Sequence, residues 1–247
     1  MSAIETTAHT KLTPRLAAAL EMLGNGEGKT LADIGCDHGK FALAAIKSFG
    51  YDGVIMSDIS APSLDKARAL FESFDLNDKC SFKCCSGLDD YSEGEADKAA
   101  LLGMGGELIA AILENGKSVA ERFELIVMQP MRGEAELRRY LYKNGYSVID
   151  ERIVLDAGRY YQLICAKHSS SENIALPEWF PKDCYQFGAV ALQKREKELL
   201  PMMQRYLGII ENKLADSKRV GRSPAFLLRE INNTKALISL YLGERAE

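Results

Sequence analysis

The chain predicts an α/β fold: a mixed seven-stranded sheet with a C-terminal antiparallel helical segment behind it. Three observations carry that expectation. Short apolar runs recur with helical stretches between them, the arrangement of a parallel sheet covered on both faces. The last two runs face each other across a short glycine-bearing turn, so the sheet ends antiparallel. After them the apolar spacing changes to the 3–4 period of long helices.

The first strand is expected at residues 30–34, inside Leu31-Ala-Asp-Ile-Gly-Cys-Asp-His-Gly39. A helix over 41–48 follows this glycine turn. The next strand is expected at 54–58. Ser60 can cap the helix after it, with Pro62 in the first turn and Leu64, Ala67, Phe71 and Phe74 on one face. Strands at 80–84, 98–102 and 125–128 complete the parallel set. A helix at 107–113 follows Gly105-Gly106, and one at 134–141 stops near Asn144-Gly145. Residues 146–155 and 160–167 then pair across Asp156-Ala-Gly-Arg159.

A polar break and the pair Pro177 and Pro181, flanking Trp179, mark a linker at 169–181. It divides a domain at 1–168 from a helical, coiled-coil-like one at 182–247. There Leu199, Met203, Ile210 and Leu214 form one apolar stripe, and Leu227, Ile231 and Ile238 another. The break at 220–224 makes them an antiparallel pair, with a bend at Pro201.

Composition excludes several classes. The 247 residues are 47% hydrophobic, enough for a large core, and no apolar stretch is long enough for a membrane span. The N-terminus has no signal-peptide pattern, so a soluble, cytoplasmic protein is expected. Six cysteines without a CxxC pair, and three histidines without paired spacing, favour neither a metal site nor disulfides. Net charge is −4, but residues 182–247 carry 12 Lys/Arg against 8 Asp/Glu. A mildly positive tail on an acidic body permits phosphate contact without requiring it.

The chemistry concentrates at the first turn. Gly35 allows the chain to reverse tightly, and Gly39 lets the next helix start close to a ligand. Asp58 lies 25 residues after Asp33, the place of an acid that meets ribose hydroxyls. The turn is not GxGxxG. Asp37 stands where a dinucleotide pyrophosphate would meet a carboxylate, and like charges repel there. A cationic sulfonium, S-adenosylmethionine, suits this acid-lined turn better; an ordinary strand-to-helix corner is the plain alternative. Leu101-Leu-Gly-Met-Gly-Gly106 is a second glycine-rich turn, placed beside the first by strand order. Gln129-Pro130 ends the fifth strand and can frame a nucleobase edge. In Ser86-Gly-Leu-Asp-Asp90, Asp89 or Asp90 could accept from an adenine amino group. His38 is either an acid–base group or a structural residue of its turn, and Lys66 and Arg68 read as solvated.

Together these residues resemble the bacterial tRNA (adenine-22 N1) methyltransferase family, over about residues 12–167. The pieces that carry the resemblance are Leu31-Ala-Asp-Ile-Gly-Cys-Asp-His38, Gly103-Met-Gly-Gly106 and Gln129-Pro130. The Glu136-Leu-Arg-Arg-Tyr-Leu141 and Tyr160-Tyr-Gln-Leu-Ile164 segments add to it. The resemblance implies a class I (Rossmann-like) methyltransferase domain that binds S-adenosyl-L-methionine and a helical domain that helps grip tRNA. The implied cofactor-binding residues are Asp33, Gly35, Asp37, His38, Gly39, Asp58, Ile59, Ser86, Gly87, Leu88, Gly103, Met104 and Gly105. Asp37 and Gln129 are the catalytic candidates, and Arg219 and Arg222 the candidate phosphate contacts. Three positions depart from the family pattern. Cys85-Ser86-Gly87-Leu88 replaces GDGL or GNGL, Phe41-Ala42 replaces LP, and Met131 replaces the asparagine of QPN. The alternatives are a methyltransferase acting on a small molecule or protein, and a cofactor-binding module without turnover.

Overall fold

The structure, a computed structural model, describes residues 11–169, 175–219 and 224–243. Five strands run parallel: β1 (Thr30–Ile34), β2 (Gly53–Ser57), β3 (Cys80–Lys83), β4 (Lys98–Gly105) and β5 (Leu125–Arg132). An antiparallel hairpin, β6 (Tyr146–Asp156) and β7 (Arg159–His168), completes the sheet. The order is β3-β2-β1-β4-β5-β7-β6. The chain turns back across β1, so β2 flanks it on one side and β4 on the other. A crevice therefore opens at the carboxyl ends of β1 and β4, where open α/β sheets bind ligands. The expected mixed seven-stranded sheet is borne out.

Side-chain alternation along the strands divides the core. Leu31, Val54 and Met56 pack with Leu20 and Leu23 of α1 (Pro14–Leu23), Leu43 of α2 (Lys40–Phe49) and Leu64 and Phe71 of α3 (Ala61–Glu72). Ala32, Ile34, Ile55 and Leu101 face the other way. They meet Ile109 and Leu113 of α4 (Gly106–Asn115), Val119 of the short α5 (Lys117–Ala120), and Leu137 and Leu141 of α6 (Glu134–Lys143). Period-2 burial on both faces is what a covered parallel sheet requires.

A third cluster joins Ile153 of β6 to Phe180, Phe187, Leu192 of α7 (Ala189–Gln193), Leu199 and Met203 of α8 (Leu199–Arg219) and Leu237 of α9 (Ala225–Leu242). A buried polar network lies beside it. Arg138 donates from Nε to Glu151 Oε1 at 2.8 Å, from Nη2 to Gln162 Oε1 at 2.7 Å, and from Nη1 to the carbonyls of Tyr185 and Gln186 at 3.1 Å. Glu151 Oε2 accepts from the backbone N–H groups of Val190 and Ala191, which open α7.

Several elements differ from expectation. β4 and β5 run past 102 and 128, so both later motifs lie inside strands. The register shifts around Gly103, which forms a bulge at φ 79°. Pro201 sits in the first turn of one continuous α8, where its missing N–H costs little, so it marks no bend. α1, α5 and α7 were not foreseen. For α1 a signal existed: Thr13-Pro14 opens a stretch with Leu16, Leu20 and Leu23 in register. Ser60 caps α3 as expected, its Oγ accepting from Ser63 N. Residues 220–223 of the expected break, with Arg222, lie outside the described residues, as do 170–174 of the expected linker and the side chain of Arg219. Among the described residues no helix is long and apolar enough to cross a membrane.

Candidate active site

A cleft of about 400 Å³ opens at the switch point, lined by Asp33, Gly35, Asp37 and His38 on one side and by Leu102, Gly103, Met104 and Arg15 on the other. The two glycine segments meet across it. Gly35 holds φ 74°, and a Cβ there would lie 2.7 Å from Met104 Cε, so the thioether packs directly over the first turn. Gly35→Ala is accordingly expected to lower the unfolding free energy by about 1–2 kcal/mol through left-handed strain, with displacement of Met104 added. A urea midpoint equal to that of the parent would contradict this packing.

Asp33 comes from the end of β1 and is 4% exposed. Burial pushes its carboxyl up to about 7; the Asp58 charge adds to the shift, and the hydrogen bond from Ala42 N in the first turn of α2 opposes it. Its Oδ2 is buried with no hydrogen-bond partner among the described residues. Asp58 organises the rim: Oδ2 accepts from Asp37 N at 3.1 Å and Oδ1 from Ser60 N at 2.9 Å. The first of these bonds holds Asp37 at φ 50°, a left-handed conformation that Asp tolerates better than most residues. The Asp37 side chain is exposed, with Oδ1 at 3.2 Å from His38 Nε2. Lys66 Nζ lies 3.2 Å from that same nitrogen, so Lys66 is engaged with the turn and not merely solvated.

The other expected residues divide. Ile59 is 78% exposed at the end of β2, beside Cys84, whose Sγ lies 4.0 Å from the Ile59 carbonyl oxygen. Ser86 is exposed on the third loop, whereas Gly87 and Leu88 pack beneath it on Ile112 and Gly116. Gly39 faces Ala67 and Met56 and serves helix packing, not the cleft wall. Gly106 similarly allows backbone contact with Gly133, between the starts of α4 and α6.

Gln129 is not among the residues that line the cleft. It is fully buried; its Oε1 accepts from Arg15 Nη1 at 2.6 Å, and its Nε2 donates to Pro130 O at 2.7 Å. The extension of β5 and the arrival of α1 place Arg15 between that amide and the cleft. Arg15 is further held by Asp156, at 3.8 Å, and lies 5.4 Å from the centre of the Tyr161 ring. Arg15, Leu16, Lys40 and Phe41 all line the cleft, and none was singled out as a site residue from sequence.

A switch-point cleft with an acidic first turn and an acid ending β2 is the site of a class I methyltransferase. A family model described as a methyltransferase domain matches residues 12–164, and the chain belongs to that family. The tRNA (adenine(22)-N(1))-methyltransferase of Bacillus subtilis is 35% identical over 157 residues, covering 64% of this chain and 65% of that enzyme. The crystal structure of the B. subtilis tRNA methyltransferase TrmK is 25% identical with a TM-score of 0.77, covering 95% of this chain and 98% of its own. A Streptococcus pneumoniae structure in complex with S-adenosyl-L-methionine shares the fold: TM-score 0.79 at 21% identity, covering 92% and 100% of the two chains. The resemblance read from the DIG-x-DH and GMGG segments is borne out.

Proposed function

We propose that this protein is an S-adenosylmethionine-dependent methyltransferase that modifies N1 of an adenine in tRNA, at position 22 as in the name of its B. subtilis relative. The observation that carries the reading is the buried Asp33 carboxylate with one oxygen unpaired beside the cleft. An orphaned buried acceptor costs free energy until a donor meets it, and the ammonium group at the cofactor's methionine end would supply one. Asp37 and Asp58 add negative charge at the rim, which fits a sulfonium and repels a pyrophosphate. Asp58 and the exposed Ile59 and Ser86 would hold the ribose and adenine end; Gly35, Gly103, Met104 and Gly105 would border the methionine end and the target base. His38 would close the rim through Asp37.

The bound cofactor supplies a methyl carbon made electrophilic by its sulfonium. The adenine N1 lone pair lies in the ring plane, so the site's task is alignment. Holding the reactants near attack distance is worth about 7–11 kcal/mol of barrier. As N1 bonded to the methyl, the S–CH3 bond would break to leave a neutral thioether, and the base would become cationic. Asp37 at the mouth offsets that charge or accepts the amino proton. Gln129 acts one step removed, by fixing Arg15 at the cleft wall.

The test is methylation of host tRNA, read by nucleoside mass spectrometry, with calorimetry of S-adenosylhomocysteine binding. Asp37→Ala is expected to lower kcat about tenfold with the fold retained, a modest factor because the carboxylate is exposed and screened. Unchanged turnover would remove Asp37 from the reaction. Absence of any methylated tRNA nucleoside, with heat of binding retained, would favour a different substrate.

A further inference from the structure

We infer that the β6–β7 hairpin and the start of α8 form an arginine–tyrosine track along which the tRNA strand carrying the target base is led to the cleft. The inference rests on the tRNA reading above and locates that substrate's contact surface in the described part of the fold.

β7 runs antiparallel to β5, so its beginning lies at the carboxyl edge of the sheet, on the same side as the cleft. The pairing of Met128 with Ile164 sets the extension of β5 alongside that beginning. Residues 159–163 of β7 pair only with β6 and form no ladder with β5. The Tyr161 ring there lies between two guanidiniums, with Arg15 at 5.4 Å on the cleft side and Arg159 at 6.0 Å. Between the start of β7 and α8, a groove of about 200 Å³ is lined by Arg159, Tyr160, Met202, Arg205, Tyr206 and Ile209. Arg205 donates from Nη1 to Gly158 O at 3.0 Å, which fixes its guanidinium beside the hairpin turn.

Charge selects the occupant. The chain is acidic overall, at −4, and many of its cations are neutralised in pairs: Lys29, Lys83, Arg122, Arg152, Lys194 and Lys235 each meet a carboxylate. Arg159 and Arg205 are exposed and have no carboxylate partner among the described residues. Unpaired guanidiniums beside half-buried tyrosines suit a polyanion, whose phosphates the cations meet. A target base must leave its stack to react, so a strand held beside the cleft is what the geometry supplies.

The experiment is steady-state methylation of host tRNA by the Arg159→Ala/Arg205→Ala protein across a salt series, with S-adenosylhomocysteine calorimetry alongside. Expected are a KM for tRNA raised at least tenfold, a salt slope of log affinity lowered by roughly 1.5–2 for two lost phosphate contacts, and unchanged homocysteine-product binding. Arg159→Lys/Arg205→Lys should keep most of the salt slope. Unchanged KM and slope in the alanine protein, with the parent methylating tRNA, would overturn the track alone. A parent that binds the product but methylates no tRNA would overturn the substrate reading and the track with it.

Discussion

Glu151→Gln is expected to lower the unfolding free energy by about 3–5 kcal/mol, the cost of leaving one partner of a buried ion pair unmatched. Both side chains are about 1–2% exposed, so solvent cannot replace the lost charge. Glu151 serves two elements at once. One oxygen meets Arg138 from α6, and the other receives the amide N–H groups of Val190 and Ala191. Gln at this position must direct its NH₂ group towards one of those donor sets. Shape offers no escape, because Gly188 lies so close to the carboxylate that even a Cβ there would collide with it. The loss should fall first on α7, which opens the route to α8 and α9. Chemical denaturation checks the magnitude. Arg138→Met combined with Glu151→Gln should cost less than the sum of the two singles, because the uncompensated charge is then gone. Additive losses, or a midpoint unmoved by Glu151→Gln, would show that the pair does not hold this junction.

The parts of the site carried by consecutive β–α units were legible in the sequence. Asp33 lies at the end of one strand with Gly35 and Asp37 just past it, Asp58 follows the next, and a parallel sheet brings such ends to one edge by rule. What could not be read depends on distant pairing. Arg15 reaches Gln129 across 114 residues, and no local pattern announces that a helix near the N-terminus will close the cleft. That same contact makes Gln129 a buried residue that holds an arginine. Glycine is ambiguous for a related reason. Gly35 and Gly39 look alike in sequence, yet one faces Met104 at the cleft and the other faces Ala67 of α3. Arg138 and Gln162 were visible within the Glu136–Leu141 and Tyr160–Ile164 segments, but only as marks of resemblance. Their chemistry appears once β6 places Glu151 against Arg138, which donates to Gln162 as well.

Asp33→Asn is expected to weaken cofactor binding about 100-fold, the scale of one charge-assisted hydrogen bond or ion pair in a buried setting. The same substitution should change how stability responds to pH. Burial pushes the Asp33 carboxyl up to about 7, against about 3.9 for an unfolded chain. Between those values the folded state holds a proton that the unfolded state has released. Stability from this group is therefore present at low pH and is lost as pH rises through 7, by on the order of 4 kcal/mol. Asn cannot ionise, so the decline over that window should disappear in the variant. Ligand binding runs the opposite way, since a cationic donor needs the ionised acid. Parent affinity should rise as pH passes through 7, while the variant stays weak and flat. Calorimetry with S-adenosylmethionine from pH 5.5 to 8.5, paired with thermal unfolding from pH 4 to 8.5, separates the two effects. If the Asn protein binds as tightly as the parent and keeps its pH profile, the unpaired oxygen of Asp33 does not face the ligand's charge. If binding falls while the stability slope persists, the carboxyl serves the ligand but is not the group that titrates near neutrality.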